Sequence, residues 1–326
     1  MQFAVIGAGN MGSIYGANLA RIGEPVVMID VWEEHVVQMQ SAGLRMSGLH
    51  GEFIAPVTAI TDPARAPKCD VAIICVNSYS TRDAAMAAKQ LLADSGFALT
   101  LQNGLGHLEI LTEVLGEGRV MGGLTFHSAD LQGPGRVTHT NEGPTYLGEL
   151  DNAKSARLET LRDALDRAGM LPVVVDDILT TIWSKFVHNC AINAVCAITG
   201  LRPGHIQEVP AVDAFQTHII EEVLALAVAK GIALPERDPV KTIKAYCATK
   251  FHRVSMVQHL DRGRPTEIDS LNGYVARESE RLGLQAPYNN ALAMLIKGRE
   301  HQPAEREAET TKLDKPKPRN VHAVAT

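Results

Sequence analysis

Hydrophobic residues in the first half of the chain form short continuous runs, separated by stretches of helical length. The runs Phe3–Ile6 and Val26–Ile29 contain no polar position, which is typical of strands covered on both faces. The stretches between such runs carry apolar residues three and four positions apart, the spacing of a helix with one buried face. The predicted strands are 2–6, 26–30, 71–76, 97–101, 119–124 and 171–175, and the predicted helices are 10–22, 33–42, 80–93, 106–115 and 154–168. This alternation predicts a mostly parallel sheet with helices on both faces.

Two segments interrupt the alternation, 44–61 and 133–149, and both are interpreted as hairpins. Gly48 and Gly51 bound a turn in the first, and the run Gly133-Pro134-Gly135 makes a turn in the second. The flanking residues alternate between apolar and polar in both segments, as strands with one buried face do.

The second half shows no convincing strand between residue 176 and about residue 299. Its helical periodicity is punctuated by prolines, which cannot continue a helix. The predicted helices are 178–199, 208–231, 239–250, 265–283 and 288–299. We therefore expect a dinucleotide-binding domain over 1–175, an all-helical substrate and dimerisation domain over 176–300, and a disordered tail over 301–326, which is polar and contains prolines.

Composition and charge narrow the range of partners. A formal net charge of −6 argues against nucleic acid or an anionic membrane as a main partner, and no apolar stretch reaches the length of a membrane span. The five cysteines form no CxxC pair and no metal-ligand spacing, which favours reduced thiols, a cytoplasmic protein and no bound metal. His127, His188 and His252 likewise lack metal spacing and are interpreted as structural.

The first strand runs into a glycine-rich motif, Gly7-Ala8-Gly9-Asn10-Met11-Gly12, which opens a helix. In a dinucleotide-binding fold the first glycine allows the tight turn, the second lets the backbone approach a pyrophosphate, and the third lets helix and strand pack closely. Asp30 ends the second strand, where a carboxylate accepts hydrogen bonds from ribose hydroxyls and repels a 2′-phosphate. The next residues, 31–34, offer no Lys or Arg. The motif therefore predicts a nicotinamide dinucleotide, with NAD preferred over NADP and with FAD disfavoured by the lack of further flavin-binding segments.

Three polar residues, Lys185, Asn189 and Asn193, lie four positions apart on the apolar predicted helix 178–199, and so share one face. A lysine in a buried helix needs a partner or a cavity, and burial lowers its pKa. Such a lysine could protonate a carbonyl oxygen while the amides orient a substrate. The alternative is that Lys185 extends to the surface and the asparagines bond neighbouring loops.

Other candidates lie at strand ends and near a predicted helix start. Asn103 and Asn77 each follow a predicted strand, at the edge of the sheet where ligands bind in such folds. Ser255 precedes a cluster of charged residues, and Glu267 lies in the first turn of the predicted helix 265–283. An acidic residue there could simply favour helix formation.

Together these motifs resemble the ketopantoate reductase family (2-dehydropantoate 2-reductase), over roughly residues 1 to 299. The resemblance rests on the glycine-rich motif, on Gln102-Asn103-Gly104, on Trp183-Ser184-Lys185 with the two asparagines, and on Ser255-Met256 ahead of Thr266-Glu267-Ile268-Asp269 and Asn272-Gly273. It implies an α/β Rossmann-type N-terminal domain followed by an all-α C-terminal domain like that of 6-phosphogluconate dehydrogenase. It also implies reduction of a 2-keto acid in the cleft between them.

The resemblance also implies roles for individual residues. Lys185 is the expected general acid, and Glu267 is expected to hold the bound substrate and cofactor in place near the nicotinamide. The expected substrate-binding residues are Asn103, Asn189, Asn193 and Ser255, and the expected cofactor-binding residues are Gly7, Gly9, Asn10, Met11, Gly12, Asp30, Asn77, Asn103 and Glu267.

This chain departs from the family at two positions. Members often carry a lysine at the position of Asn77. Members usually use NADPH, and many have a basic or neutral residue near the end of the second strand, where this chain has Asp30. Ketopantoate or a related 2-oxo acid is the expected substrate, and a homodimer is possible. Two alternatives stay open: another NAD-dependent dehydrogenase, of the β-hydroxyacid or opine type, and a non-catalytic NAD-binding sensor.

Overall fold

The chain is described here by a computed structural model that covers residues 1–301. The predicted tail, 301–326, lies outside the described residues except for its first position. Within 1–301, twelve strands and eleven α-helices alternate through the first half and give way to helices alone in the second. This arrangement confirms the predicted fold class.

Eight strands form one large sheet in the order β12-β11-β8-β7-β6-β1-β2-β5. All neighbours are parallel except β11 and β8, which are antiparallel. The strands of this sheet are β1 (Phe3–Ile6), β2 (Val26–Ile29), β5 (Thr58–Ile60), β6 (Cys69–Ile74), β7 (Leu92–Thr100), β8 (Val120–Thr125), β11 (Thr145–Glu149) and β12 (Pro172–Val174). The chain proceeds outward from β1 to β5 and returns to place β6 on the other side of β1. The order of strands therefore reverses between β1 and β6, and this is where open α/β sheets bind ligands.

A second, four-stranded sheet corrects the prediction of two separate hairpins. It has the order β4-β3-β10-β9, made of β3 (Leu44–Gly48), β4 (Phe53–Ala55), β9 (Ser128–Gly133) and β10 (Arg136–Asn141). The predicted hairpin ranges were wrong because β5 and β11, the last strands of the two segments, join the large sheet instead. The two hairpins also associate with each other through a parallel pairing of β3 with β10, which no local pattern signals.

The helices of the first half agree with their predicted positions to within about two residues. They are α1 (Asn10–Arg21), α2 (Glu33–Ala42), α3 (Thr81–Leu91), α4 (His107–Leu115) and α5 (Ala156–Arg167). The helical part contains α6 (Ile178–Thr199), α7 (Pro210–Ala229), α8 (Pro239–Ala248), α9 (Ser255–Asp261), α10 (Asn272–Arg281) and α11 (Pro287–Glu300).

The prediction of one helix over 265–283 was wrong. Residues Ile268–Ser270 form a short 3₁₀ turn, and α10 begins only at Asn272. The carbonyl of Ser270 accepts a hydrogen bond from the backbone N–H of Leu105 at 2.9 Å, so a contact with the sheet edge replaces a helical one. Helix α9 was not predicted, and Ser255 is its first residue.

Two buried apolar clusters cover the two faces of the large sheet. One includes α1 and α5. The other runs without a break from the strands through α3 and α4 into α6, α7, α10 and α11, so the helical part is packed directly onto the sheet. Within residues 1–301, none of the helices combines the length and apolar character needed to cross a bilayer.

Candidate active site

The glycine-rich turn after β1 has the shape that a pyrophosphate requires. Gly7 has a φ of +92°, a conformation that residues with a Cβ rarely adopt. A Cβ at Gly12 would lie 1.9 Å from the carbonyl oxygen of Gly7, so glycine lets α1 start directly against the turn. A Cβ at Gly9 would meet no atom within 4 Å, so the outer side of the turn is open. The open turn leads into the free N–H groups of α1, a combination that suits the phosphates of a dinucleotide.

Asn10 and Met11 are the first two residues of α1, and their side chains contact other parts of the fold. The Asn10 Oδ1 accepts a hydrogen bond from the backbone N–H of Leu131 at 3.0 Å and so ties α1 to β9. The half-buried Met11 packs against the core on the α1 side of the sheet.

Asp30 holds the turn as well as marking the end of β2. Its Oδ2 accepts a hydrogen bond from the backbone N–H of Ala8 at 2.7 Å, and its Oδ1 accepts one from the backbone N–H of Trp32 at 2.9 Å. These two hydrogen bonds orient the half-buried carboxylate before any ligand arrives. Val31, beside it, is 92% exposed.

The segment after β6 joins the sheet edge to the helical part. The Asn77 amide donates to the hydroxyl of Tyr79 at 2.8 Å. The backbone N–H of the next residue, Ser78, donates to Oε1 of Glu267 at 3.1 Å. Glu267 thus reaches from the helical part to the carboxyl end of β6.

Glu267 and Asn103 meet at this edge. Burial raises the pKa of the Glu267 carboxyl, while hydrogen bonds from the Ser78 backbone and the Asn103 side chain, together with the charge of Lys185, act to lower it. Glu267 follows Thr266, whose backbone N–H and hydroxyl donate to Oε1 of Glu300 at 2.7 and 2.6 Å. Glu300, at the end of α11, therefore anchors the segment that carries Glu267.

Lys185 lies opposite Glu267, at the carboxyl end of β8. Its Nζ donates to the backbone carbonyl of Thr125 at 2.7 Å and lies 5.1 Å from the centre of the Phe126 ring. Burial lowers the pKa of Lys185 from the ordinary 10.5 to about 8, and the negative charge of Glu267 opposes this shift. The lowered pKa agrees with the expectation from the sequence, although the Lys185 residue is half-buried rather than fully enclosed.

The remaining predicted site residues are on α6 with Lys185 or on the neighbouring α9, and their side chains make fewer hydrogen bonds than those of Lys185 and Glu267. Asn189 is half-buried and Asn193 is buried, on the same face of α6 as Lys185. Neither amide side chain hydrogen-bonds to the residues that the structure describes. Ser255 is exposed at the start of α9, which packs against α6, and it has no hydrogen-bonded contact with the other predicted residues in the described part of the chain.

Three residues that contact Glu267 or Lys185 were not singled out from the sequence: Ser78, Thr125 and Phe126. Thr125 and Phe126 directly follow the predicted strand 119–124, so the rule that ligands bind beyond strand ends was a signal that could have found them. Ser78 acts through its backbone, which leaves no trace in residue type. His127, interpreted as structural, hydrogen-bonds through Nδ1 to Nε2 of His139 at 3.0 Å.

Comparison with known proteins places the whole described fold in one family. The profile of the N-terminal part of ketopantoate reductase PanE/ApbA matches residues 3–152, and the profile of its C-terminal part matches residues 177–300. The chain belongs to the ketopantoate reductase family. The predicted family and the predicted enzyme class, an oxidoreductase acting on CH–OH groups, are thereby confirmed.

Relatives share this similarity over nearly their full length. The 2-dehydropantoate 2-reductase of Pyrococcus horikoshii is 32% identical over 92% of this chain and 98% of its own, and that of Archaeoglobus fulgidus is 31% identical over 90% and 96%. A PanE/ApbA family ketopantoate reductase from Ralstonia eutropha superposes with a TM-score of 0.85, at 32% identity over 92% of this chain and 98% of its own.

A relative of different specificity has a very similar structure. D-mandelate dehydrogenase, solved with NADH and anilino(oxo)acetate, superposes with a TM-score of 0.84 at 27% identity, over 92% of this chain and 98% of its own. Proteins with this fold therefore include enzymes named for different substrates.

Proposed function

We propose that the chain reduces a 2-keto acid with a reduced nicotinamide dinucleotide, that ketopantoate is its substrate, and that Lys185 is the general acid. The observation that carries the proposal is the position of Lys185 Nζ. It lies at the carboxyl end of β8 with a pKa of about 8, facing Glu267 across the edge where the sheet meets the helical part. A lysine of ordinary pKa would release its proton much less readily near neutral pH.

The chain's own residues account for proton delivery and positioning. A bound reduced nicotinamide would supply the hydride. Lys185, still mostly protonated at pH 7, donates a proton to the developing alkoxide, and the charge of Glu267 keeps the ammonium form available. Asn189 and Asn193 present their side-chain amides on the same face of α6 and orient the keto acid, and Ser255 binds its carboxylate. Asn103 would contact both the cofactor and the substrate.

The cofactor proposed is NADH rather than NADPH. The open turn at Gly9 leads to the carboxylate of Asp30, which is already oriented by two backbone N–H groups. A 2′-phosphate at this point would meet a fixed negative charge, and residues 31–34 provide no cation to offset it. The carboxylate keeps free lone pairs to accept hydrogen bonds from ribose hydroxyls.

The test is a steady-state assay of the purified chain with ketopantoate and either cofactor. We expect turnover with ketopantoate and a higher kcat/KM with NADH than with NADPH. Turnover with NADPH preferred would contradict the cofactor assignment alone. Binding of NADH without turnover on any 2-oxo acid would support the sensor alternative, and turnover confined to β-hydroxyacids or opines would support the other dehydrogenases.

Phe126 favours a second candidate substrate, an aromatic 2-keto acid such as 2-oxo-2-phenylacetate. Its ring lies beside the Lys185 ammonium group and is 41% exposed, although it is large and apolar. Tyr146 packs edge-on against it, with ring centres 6.1 Å apart, and so holds it in place. An aromatic substrate side chain would stack on this ring and bury the part of Phe126 that is exposed without substrate.

Direct competition between the two keto acids decides between these candidates. A kcat/KM that is higher for 2-oxo-2-phenylacetate than for ketopantoate would favour the aromatic substrate, and the reverse order would favour ketopantoate.

Two further assignments belong to the proposal. We place the boundary between the dinucleotide-binding and substrate domains near residue 175, ahead of α6. The proposed setting is the reducing cytoplasm, supported by five free cysteines, of which four are buried.

A further inference from the structure

His35 is a fully buried histidine of α2 that touches the cofactor turn, and none of the roles assigned above involves it. Its Nδ1 accepts a hydrogen bond from the backbone N–H of Gly135 at 2.8 Å, and its Nε2 lies 2.9 Å from the carbonyl oxygen of Ala8. A backbone N–H only donates, so Nδ1 carries no proton. The ring is therefore the neutral Nε2–H tautomer, which donates to Ala8.

Ala8 is the residue between the first two glycines of the motif, and its peptide groups are held on both sides. The Ala8 N–H donates to Asp30, and the Ala8 carbonyl accepts from both His35 and the hydroxyl of Ser13, the latter at 2.7 Å. The Trp32 ring stacks on the His35 ring with centres 5.2 Å apart and planes 16° apart, which limits rotation of the imidazole.

We propose that His35 is a positioning residue for the dinucleotide, through its bond to the Ala8 carbonyl. This inference rests on the proposed dinucleotide site. A turn that contains glycines at 7 and 9 has many accessible conformations, and ordering it on binding would cost affinity. The Nε2–H bond keeps the turn in its open shape before the cofactor arrives. The Nδ1 bond instead fastens α2 to the β9–β10 turn, so the two nitrogens have separate tasks.

Two substitutions separate these tasks. The Asn side chain reaches about as far as Nδ1, so His35→Asn keeps an acceptor for Gly135 and loses the donor to Ala8. The Gln side chain reaches about as far as Nε2, so His35→Gln keeps a donor for Ala8 and loses the acceptor. If His35 had only a structural role, the Asn and Gln variants would bind the cofactor with equal affinity.

The measurement is the NADH dissociation constant, by fluorescence titration, together with the melting temperature of each variant. We expect His35→Asn to weaken NADH binding about three- to tenfold, the range for one lost hydrogen bond, and His35→Gln to stay within about twofold of the wild type. The KM for NADH should rise in His35→Asn and stay near the wild-type value in His35→Gln, while kcat at saturating NADH stays unchanged in both. The matched control is His139→Asn, which replaces a different buried histidine, in strand β10. It should lower the melting temperature without changing NADH affinity.

Equal NADH affinities for the Asn and Gln variants would overturn the inference while leaving the proposed function intact. Failure of the wild-type chain to bind NADH would remove both. A second measurement needs no variant. Because coupling between two equilibria is reciprocal, bound NADH should make opening of the bond from His35 Nε2–H to the Ala8 carbonyl less frequent, which NMR would detect as slower exchange of the Nε2 proton with water. An exchange rate unchanged by NADH would also overturn the inference.

Discussion

Replacing Lys185 with methionine should stabilise the folded chain at neutral pH while it removes the proposed acid. Folding lowers the pKa of this lysine from 10.5 to about 8. One pKa unit corresponds to about 1.4 kcal/mol, so the charged form costs the folded state at most roughly 3.5 kcal/mol. The half-buried group retains some water, and the variant also loses the hydrogen bond to Thr125. We therefore expect a net gain of about 1–2 kcal/mol in the free energy of unfolding at pH 7.

The pH dependence gives this prediction its sign. Between about pH 8 and 10.5 the unfolded chain binds more protons at Lys185 than the folded chain does, so the wild type gains stability from this group as pH rises. The advantage of Lys185→Met is therefore largest below pH 8 and shrinks as the pH approaches 10.5.

The assay is urea denaturation of both proteins at pH 7 and at about pH 9.5, with Lys241→Met as the control. Lys241 is an exposed lysine of α8, and its replacement should change the free energy of unfolding little at either pH. A Lys185→Met protein no more stable than the wild type at pH 7, or equally advantaged at both pH values, would refute the reasoning.

Three further substitutions test the site. Asp30→Asn removes the charge opposed to a 2′-phosphate and should raise the NADPH-to-NADH ratio of kcat/KM at least about fivefold; an unchanged ratio would show that Asp30 does not discriminate. Phe126→Ala should raise the KM for 2-oxo-2-phenylacetate by about tenfold and that for ketopantoate by less, and equal effects would exclude ring contact as the cause. Glu267→Gln removes a charge that raises the pKa of Lys185, so the alkaline limb of kcat/KM should move to lower pH; a shift to higher pH would contradict the pairing.

The sequence predicts an element well where local signals agree with tertiary packing. Helix α6 has its predicted bounds because Asp177 accepts a hydrogen bond from the backbone N–H of Thr180 at its start, and Gly200 ends it with a φ of +74°. The helix predicted over 265–283 fails because the Ser270 carbonyl bonds to Leu105, far away in sequence. No local pattern reports such a contact.

The same distinction applies to the site. Lys185 could be found because a charged residue on an apolar helix is conspicuous in the sequence. His35 could not, because its importance comes from two backbone partners, Ala8 and Gly135, that are distant in sequence. The parallel pairing that joins the two hairpins was invisible for the same reason.

The central claim, that Lys185 delivers the proton, is tested most directly by the pH dependence of kcat/KM for NADH-dependent reduction of ketopantoate. The wild type should lose activity as pH rises through about 8, where the lysine loses its proton. In Lys185→Ala, kcat should fall by about 10²–10⁴-fold and that pH dependence should disappear, with the fold intact. An alanine variant that turns over near the normal rate, or keeps the same alkaline limb, would contradict the account.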